Sequence, residues 1–561
     1  MRMKTDVLVI GGGGAGLRAA IAAADCGAQV LLVSKKQIGQ AGATAWPIAE
    51  MAGYNAGDPR IPGDVRRHYE DIMDAAKGMA DPRLAAVVAA NAPKTIAQLE
   101  DWGVEFEHVE DGYYKFKSCF STSPRTHVIR GHGEPIIRAM KKQIQKRSSR
   151  ITVLENVTVT ELIRGKESVE GAYGVQEDCL LEIEADAVIL AAGGSGQAFA
   201  RNMNPEDVTG DGCAMAYDAG AQLVNMEFMQ MGMGFSWPVV NIFNGYIWEG
   251  KPGLTDREGR DIFDGILPEG LTAGDVMHEH RKHFPFSTSD CARYLEIAVH
   301  RAINGGRGTV HGGIPVDLTG MTSAYVNTLE DDCGIHHMWP IAAAYMKERG
   351  VDLLHETAEV AVFAHAVNGG IRIDENAMSS VPGLFAAGEC AGGPHGADRL
   401  GGNMMVTCQV FGEIAGRKAA EYAMSHRTGE TLPASCQEEE PGSAAAQGNL
   451  AWLLCKELDL KALQSRIQEG AQKHLLVDRN EEGLTRLLTL TKSLRQSIRQ
   501  APEGTRICGA NVSLYHMLTT LSIMADSARK RKESRGSHHR NDFPETRKEF
   551  GSPIIIKREG V

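Results

Sequence analysis

Asp6-Val-Leu-Val-Ile-Gly-Gly-Gly-Gly-Ala-Gly-Leu-Arg-Ala-Ala20 carries an apolar strand straight into Gly11-x-Gly13-x-x-Gly16 and on into a helix of small residues that reaches Ala24. Each glycine has its own task. Gly11 permits a tight turn, Gly13 lets the backbone approach a pyrophosphate, and Gly16 lets the helix lie close to the strand. The helix N-terminus then faces the anion. A second apolar strand, Gln29-Val-Leu-Leu-Val-Ser34, closes a short βαβ unit. The spacing predicts a dinucleotide cradle without saying which dinucleotide it takes.

Two further apolar strands end in glycine: Asp186-Ala-Val-Ile-Leu-Ala-Ala-Gly-Gly194 and Val381-Pro-Gly-Leu-Phe-Ala-Ala-Gly-Glu389. In a doubly wound sheet such strand ends converge on the cofactor crevice. A nicotinamide fingerprint is usually contiguous and places an acid after the second strand, whereas Ser34 and Lys35 stand there. Contacts spread from residue 11 to residue 389 suit FAD, whose two halves need separate binding surfaces.

At 561 residues the chain is too long for one ordinary core, so about two to four domains are expected. A net charge of −12 disfavours non-specific nucleic-acid binding. The start enters a strand at once, with no signal-segment pattern, and no apolar run is long enough to cross a membrane. The 11 cysteines are scattered without a CxxC, so no zinc site, iron–sulfur cluster or disulfide framework is expected. A cytoplasmic location is the simplest reading, peripheral to a membrane if a partner supplies the anchor.

The expected architecture is α/β. It comprises a Rossmann-like FAD-binding domain (1–235 and 356–430), an inserted α+β domain (236–355), and a helical C-terminal domain with a tail (431–561). Helical patterns occupy about 64–102, 133–147 and 403–424. A Glu/Ser/Pro/Ala-rich linker spans 427–448, and the tail from 531 is basic and irregular as far as Ile554.

The chain resembles the succinate dehydrogenase/fumarate reductase flavoprotein superfamily, which includes L-aspartate oxidase and adenylylsulfate reductase. The start carries the resemblance together with Trp102-Gly-Val-Glu-Phe106, Asp186–Gly194, Val224-Asn-Met-Glu-Phe-Met-Gln230, Pro382–Glu389 and His395-Gly-Ala-Asp-Arg-Leu-Gly-Gly-Asn403. Glu533-Ser-Arg-Gly-Ser-His538 and Asp542-Phe-Pro544 extend it to the C-terminus. The resemblance makes the inserted α+β domain a capping domain and implies hydride exchange between flavin N5 and a carbon next to a carboxylate, with cationic side chains gripping that carboxylate. Arg399 matches the carboxylate-binding arginine, and the alternative for it is a buried ion pair with Asp398 or Glu389. His365, in Ala364-His-Ala-Val-Asn-Gly-Gly-Ile371, matches a substrate-binding histidine. Glu389 matches a ribose or ribityl ligand. Asn403, Met404 and Met405 match the helix start that caps the flavin pyrimidine. Gly14, Ala15, Gly42, Ala43, Thr44, Ala192, Gly193, Asp211 and Gly388 complete the expected cofactor shell.

Three departures bear on function. Met231-Gly-Met-Gly-Phe235 stands where the family has His-Pro-Thr-Gly, so one substrate histidine is missing. Ser287-Thr-Ser-Asp-Cys-Ala-Arg293 occupies the place of an Arg-Asp-x-x-x-Arg segment. Thr288 or Ser289 therefore replaces the proton-shuttling arginine, and Arg293 matches the second arginine. Gln40-Ala-Gly-Ala-Thr-Ala45 lacks the histidine that bonds FAD covalently in respiratory members, so non-covalent FAD is expected. His365, Arg293 and the His-rich insertion are the candidates for moving the proton.

The expected function is an FAD-dependent oxidoreductase acting on a small carboxylate. Its electrons pass to or from a separate partner, with an iron–sulfur protein expected. Two alternatives are an aspartate-oxidase-like enzyme and an electron-relay flavoprotein with an eroded site. Among the remaining runs, His278-Glu-His-Arg-Lys-His283 reads as a solvated charged loop rather than a metal site. Arg529–Lys532 reads as a solvated helix end, with a docking surface for an acidic partner as its alternative.

Overall fold

The computed structural model describes residues 1–110, 112–426 and 448–559. Its largest sheet has seven strands. Six run in the order Ile151–Glu155, Val30–Ser34, Arg2–Ile10, Cys179–Leu190, Val169–Gln176 and Val157–Arg164, and Leu384–Ala386 pairs with the end of Cys179–Leu190. The first four strands and Leu384–Ala386 are parallel, while the two after Cys179–Leu190 turn back antiparallel. Both faces of the parallel part are covered, which is why Val7, Leu8 and Val9 form an unbroken apolar run with no exposed surface.

The helix Gly14–Asp25 packs on this sheet through small residues. A Cβ on Gly16 would fall 1.8 Å from the Gly11 carbonyl oxygen, so only glycine permits this approach. The same economy holds on its other side. The long helix Asn403–His426 crosses it with Gly412 and Gly416, whose Cβ atoms would lie 2.8 and 2.1 Å from the carbonyl oxygens of Ala15 and Ala19. The expected helical stretch 64–102 is two helices, Asp64–Ala76 and Pro82–Asp101. They are separated by left-handed Lys77 and restarted by the Asp81 side chain, which accepts from the Arg83 N–H.

A five-stranded antiparallel sheet, ordered Asn241–Ile242, Met229–Trp237, Ala358–Val367, Ile314–Asp317 and Gly253–Leu254, forms the core of the inserted region. Helices Ala273–His280, Arg293–Asn304 and Ile335–Glu348 accompany it. The expected boundary at 235 falls inside the strand Met229–Trp237, so the sheet begins earlier than composition suggested. Met229, Met231 and Met233 fill its core and are fully buried.

Helices Leu460–His474, Glu481–Gln500 and Gly509–Lys530 follow. The expected linker at 427–448 lies outside the described residues except for Gly448. The run Arg529–Lys532, expected as a solvated helix end, is solvated only in part. Arg531 is fully buried, with Nε on Glu227 at 2.6 Å and Nη1 on Glu533 at 2.8 Å, while Lys530 and Lys532 stay exposed. Two buried carboxylates turn one residue of the basic run inward. Farther on, Ile555–Ile556 pairs antiparallel with Leu223–Val224, fastening the tail to the body.

Candidate functional site

The ends of the parallel strands open on one long cavity. It is lined by Gly11, Gly13, Gly14 and Ala15 of the first turn, then Ser34 and Lys35, the loop Gly42, Ala43 and Thr44, and Ala192 and Gly193. Asp211, Gly388, Glu389, Met404, Met405, His365 and Arg399 complete the set that sequence reasoning named. Gly16 lies behind the turn and Asn403 behind the helix start, so neither lines the cavity. Asn403 instead accepts from Asn55 Nδ2 at 2.8 Å, with His68 Nε2 at 3.1 Å.

The cradle fits a pyrophosphate. Gly11 has φ +124°, and a Cβ there would sit 2.1 Å from the Ala191 carbonyl oxygen. Gly13 caps the helix without a side chain, and a Cβ added to it would meet nothing closer than Gly42 Cα at 4.0 Å. The first-turn N–H groups are thus presented to open space, as an anion requires. Next to it, Lys35 Nζ lies 2.5 Å from Asp211 Oδ2 and donates to Thr209 Oγ1 at 2.8 Å, while His516 Nδ1 lies 3.0 Å from Asp211 Oδ1. Burial by itself would raise the Asp211 pKa, but Lys35 and His516 hold it below the usual carboxylate range. Val157, Val159 and Met215 line the cavity as well and offer an apolar surface for an aromatic base. These residues would hold FAD.

At the far side, the 6 % exposed Arg399 donates from Nε to Gln230 Oε1 at 2.9 Å and from Nη1 to the Leu400 carbonyl at 3.0 Å. These bonds go to neutral acceptors, not to Asp398 or Glu389. Asp398 instead accepts from Ser287 Oγ at 2.7 Å. His365 stands edge-on to Phe284, ring centres 5.3 Å apart. Burial, with Arg399 and His132 nearby, pushes its pKa down to about 3, so it is neutral. Burial raises the Glu389 pKa to about 7; its carboxylate accepts the Val367 N–H at 2.9 Å.

Arg293 does not line the cavity. It opens the helix Arg293–Asn304, and its Nη1 donates back to the Thr288 carbonyl at 2.8 Å while its guanidinium lies over the Tyr294 ring. The expected solvated loop at 278–283 is corrected too. Its first half ends a helix started by a Thr272–Asp275 capping box, and His280 and His283 are buried. His280 Nε2 pairs with Glu296 Oε1 at 2.6 Å. His283 has Nε2 at 3.2 Å from Asp290 and Nδ1 at 2.8 Å from the Pro285 carbonyl. His132, Phe284, Cys119 and Tyr246 are cavity residues that sequence reasoning missed, and His283 is the one histidine of the His-rich insertion that lines the cavity. The only sequence signal for His132 is its place between two glycines at a strand-to-helix turn.

Fold and cradle define a dinucleotide-binding flavoprotein. Residues 6–405 match the family described as FAD binding domain, and residues 464–550 match fumarate reductase flavoprotein C-term. The chain is 33% identical to a fumarate reductase (CoM/CoB) subunit of Methanothermobacter marburgensis, covering 99% of this chain and 97% of that one. It is 32% identical to an FAD-dependent oxidoreductase of Methanocaldococcus jannaschii, covering 99% and 96%. Among solved structures, Mycobacterium smegmatis Sdh1 in complex with UQ1 superposes with a TM-score of 0.81 at 30% identity, covering 100% and 92%. The chain belongs to the succinate dehydrogenase/fumarate reductase flavoprotein family. It is an FAD-dependent oxidoreductase.

Proposed function

We propose that this protein exchanges hydride between FAD and a small dicarboxylate of the succinate/fumarate type, and that a separate iron–sulfur protein carries its electrons. When bound, FAD supplies a two-electron hydride acceptor or donor at N5. The observation that carries this reading is the buried Arg399. Its guanidinium donates only to neutral acceptors, with the buried Glu389 near enough to be felt; burying it costs several kcal/mol of hydration, and an anionic ligand in the same cavity would compensate for it. The planar fork suits a carboxylate.

The residues divide the work. Arg399 grips one carboxylate and favours negative charge developing next to the reacting carbon. Neutral His365 offers a hydrogen bond to the other end of the substrate. Gln230 holds Arg399 in register, and Phe284 with the inserted sheet keeps water from the reacting carbons. The Lys35–Asp211–His516 group and the Gly11–Gly16 turn fix the cofactor, without the covalent histidine link.

The test is anaerobic. The purified protein, reduced with dithionite, is mixed with fumarate, other enoates and dicarboxylates in turn, and flavin absorbance is followed. Reoxidation by a dicarboxylic enoate is expected. Failure of every enoate to reoxidise the flavin, with peroxide released from the oxidised protein on adding aspartate in air, would replace this reading with an amino-acid oxidase.

A further inference from the structure

Hydride transfer at carbon needs a proton to move at the neighbouring carbon. Thr288 and Ser289, which replace the shuttling arginine, do not supply the carrier. Their segment is fastened outside the cavity lining, with the Thr288 N–H on the Gly536 carbonyl at 2.8 Å and an exposed Ser289 on Ser287 Oγ at 2.9 Å. The ionisable groups that do line the catalytic end are mostly spoken for. Both His283 ring nitrogens have partners, and Lys282 bonds Glu279 at 2.8 Å. Arg281 is enclosed by Glu249 and Asp332. Cys119 Sγ takes the Phe284 N–H.

Two histidines remain: His365, whose Nδ1 also lacks a hydrogen-bond partner, and His132. His132 lines the cavity, its Nδ1 is buried without a hydrogen-bond partner, and its backbone is left-handed at φ +58°. It sits in Gly131-His132-Gly133, between the strand Thr126–Arg130 and the helix Glu134–Lys146, where glycine or asparagine adopts that backbone at less cost. A half-buried histidine on the cavity wall with one ring nitrogen unpartnered is placed to reach a ligand bound there. Its surroundings suit a neutral base. Thr44, whose backbone hydrogen-bonds the His132 side chain, and Met405 pack on the adjoining Gly133 and carry no charge. Glu134, next on its own element, is exposed and paired with Arg138 at 2.9 Å. Across the cavity stands His365, whose pKa the neighbouring His132 helps to lower. Burial lowers the His132 pKa to about 4, which keeps the ring unprotonated before substrate arrives.

We propose that His132 is the proton-carrying residue of the redox site. In the direction of dehydrogenation, one carbon of the dicarboxylate gives up a hydride to the flavin. Its neighbour loses a proton to the His132 imidazole, and the electron pair of that C–H bond becomes the second bond of C=C. In reduction the imidazolium returns the proton as the hydride arrives. The negative charge of a bound dicarboxylate raises the proton affinity of the ring when it is needed.

The inference rests on the dicarboxylate reading above, and its test separates the two. His132→Asn keeps a residue that tolerates the left-handed backbone and removes the titrating ring; His132→Gly relieves the backbone altogether. Both are expected to bind FAD as fully as the wild type and to melt at the same or a higher temperature. Fumarate reduction should be slower by about 10²- to 10⁴-fold, with the imidazole limb missing from the pH–rate profile. Loss of FAD or a lower melting temperature in both variants would assign His132 a structural role and overturn the inference. So would unchanged turnover, or a pH limb that disappears only in a His365→Asn control. A wild type that reacts with no dicarboxylate would defeat the functional reading, and this inference with it.

Discussion

Gln230 and Arg399 hold each other reciprocally: Arg399 Nε donates to the Gln230 side-chain oxygen at 2.9 Å, and Gln230 Nε2 donates to the Arg399 carbonyl at 3.3 Å. Gln230 lies on the sheet of the inserted region and Arg399 on the loop before the helix Asn403–His426. The clamp is therefore positioned from both parts of the protein. Gln230→Ala should leave the guanidinium in the cavity but free to turn. The expected result is a fall in kcat/KM of roughly 10- to 100-fold, equivalent to about 1.4–2.7 kcal/mol, with FAD content unchanged. Steady-state kinetics with a reduced dye as donor checks it.

Asp398 gives a pH signature. Burial raises its pKa to about 7, against an ordinary carboxyl near 4. The folded state then binds more protons than the unfolded state between these values, so this residue makes stability fall as pH rises from about 4 to 7, and its penalty is full above that. Asp398→Asn keeps an acceptor for Ser287 Oγ and removes the titration. Urea unfolding should show the variant gaining on the wild type between pH 5 and pH 8. A difference that is flat or shrinks with pH contradicts the assignment.

Asp211 has the opposite sign. Its folded pKa is depressed, so its stabilisation is present above the unfolded carboxyl value and is lost as pH falls through the folded one. Asp211→Asn should cost about 3 kcal/mol at pH 7, because Lys35 is left without its partner carboxylate. The gap between variant and wild type should narrow in acid. Denaturant melts at pH 7 and at about pH 3.5 measure it.

The C-terminal anchor is testable in the same way. Arg531→Ala leaves Glu227 buried and unpaired, whereas Glu533 keeps Arg535 at 2.7 Å, and about 3 kcal/mol of stability should go with it. Arg531→Ala with Glu227→Gln should recover part of that loss. Additive losses in the double variant would mean that the two residues do not act as a pair.

What was legible in the sequence was mostly local. The turn at Gly11–Gly16 is dictated by neighbouring residues, and the Gly388-Glu389 strand end by an apolar run that meets a glycine. Arg399 lay in a long, distinctive segment. Residues whose roles depend on distant partners were misread. His280 and His283 are buried because Glu296 and Asp290 come back to them from 16 and 7 residues downstream. Arg531 is buried because Glu227 meets it from 304 residues upstream. Arg293 was expected in the site, but as the first residue of its helix it bonds back to the Thr288 carbonyl. The turn at His132 gave a conformational hint in its flanking glycines, whose meaning depended on knowing that the turn faces the cavity.

The central claim is that Arg399 holds a substrate carboxylate against the flavin. The most direct measurement is the rate at which fumarate reoxidises the dithionite-reduced flavin under anaerobic stopped flow, in the wild type and in Arg399→Ala at matched FAD content. The account predicts rapid, saturable reoxidation in the wild type and a rate lower by roughly 10²- to 10³-fold in the variant. Equal rates in the two proteins would contradict it.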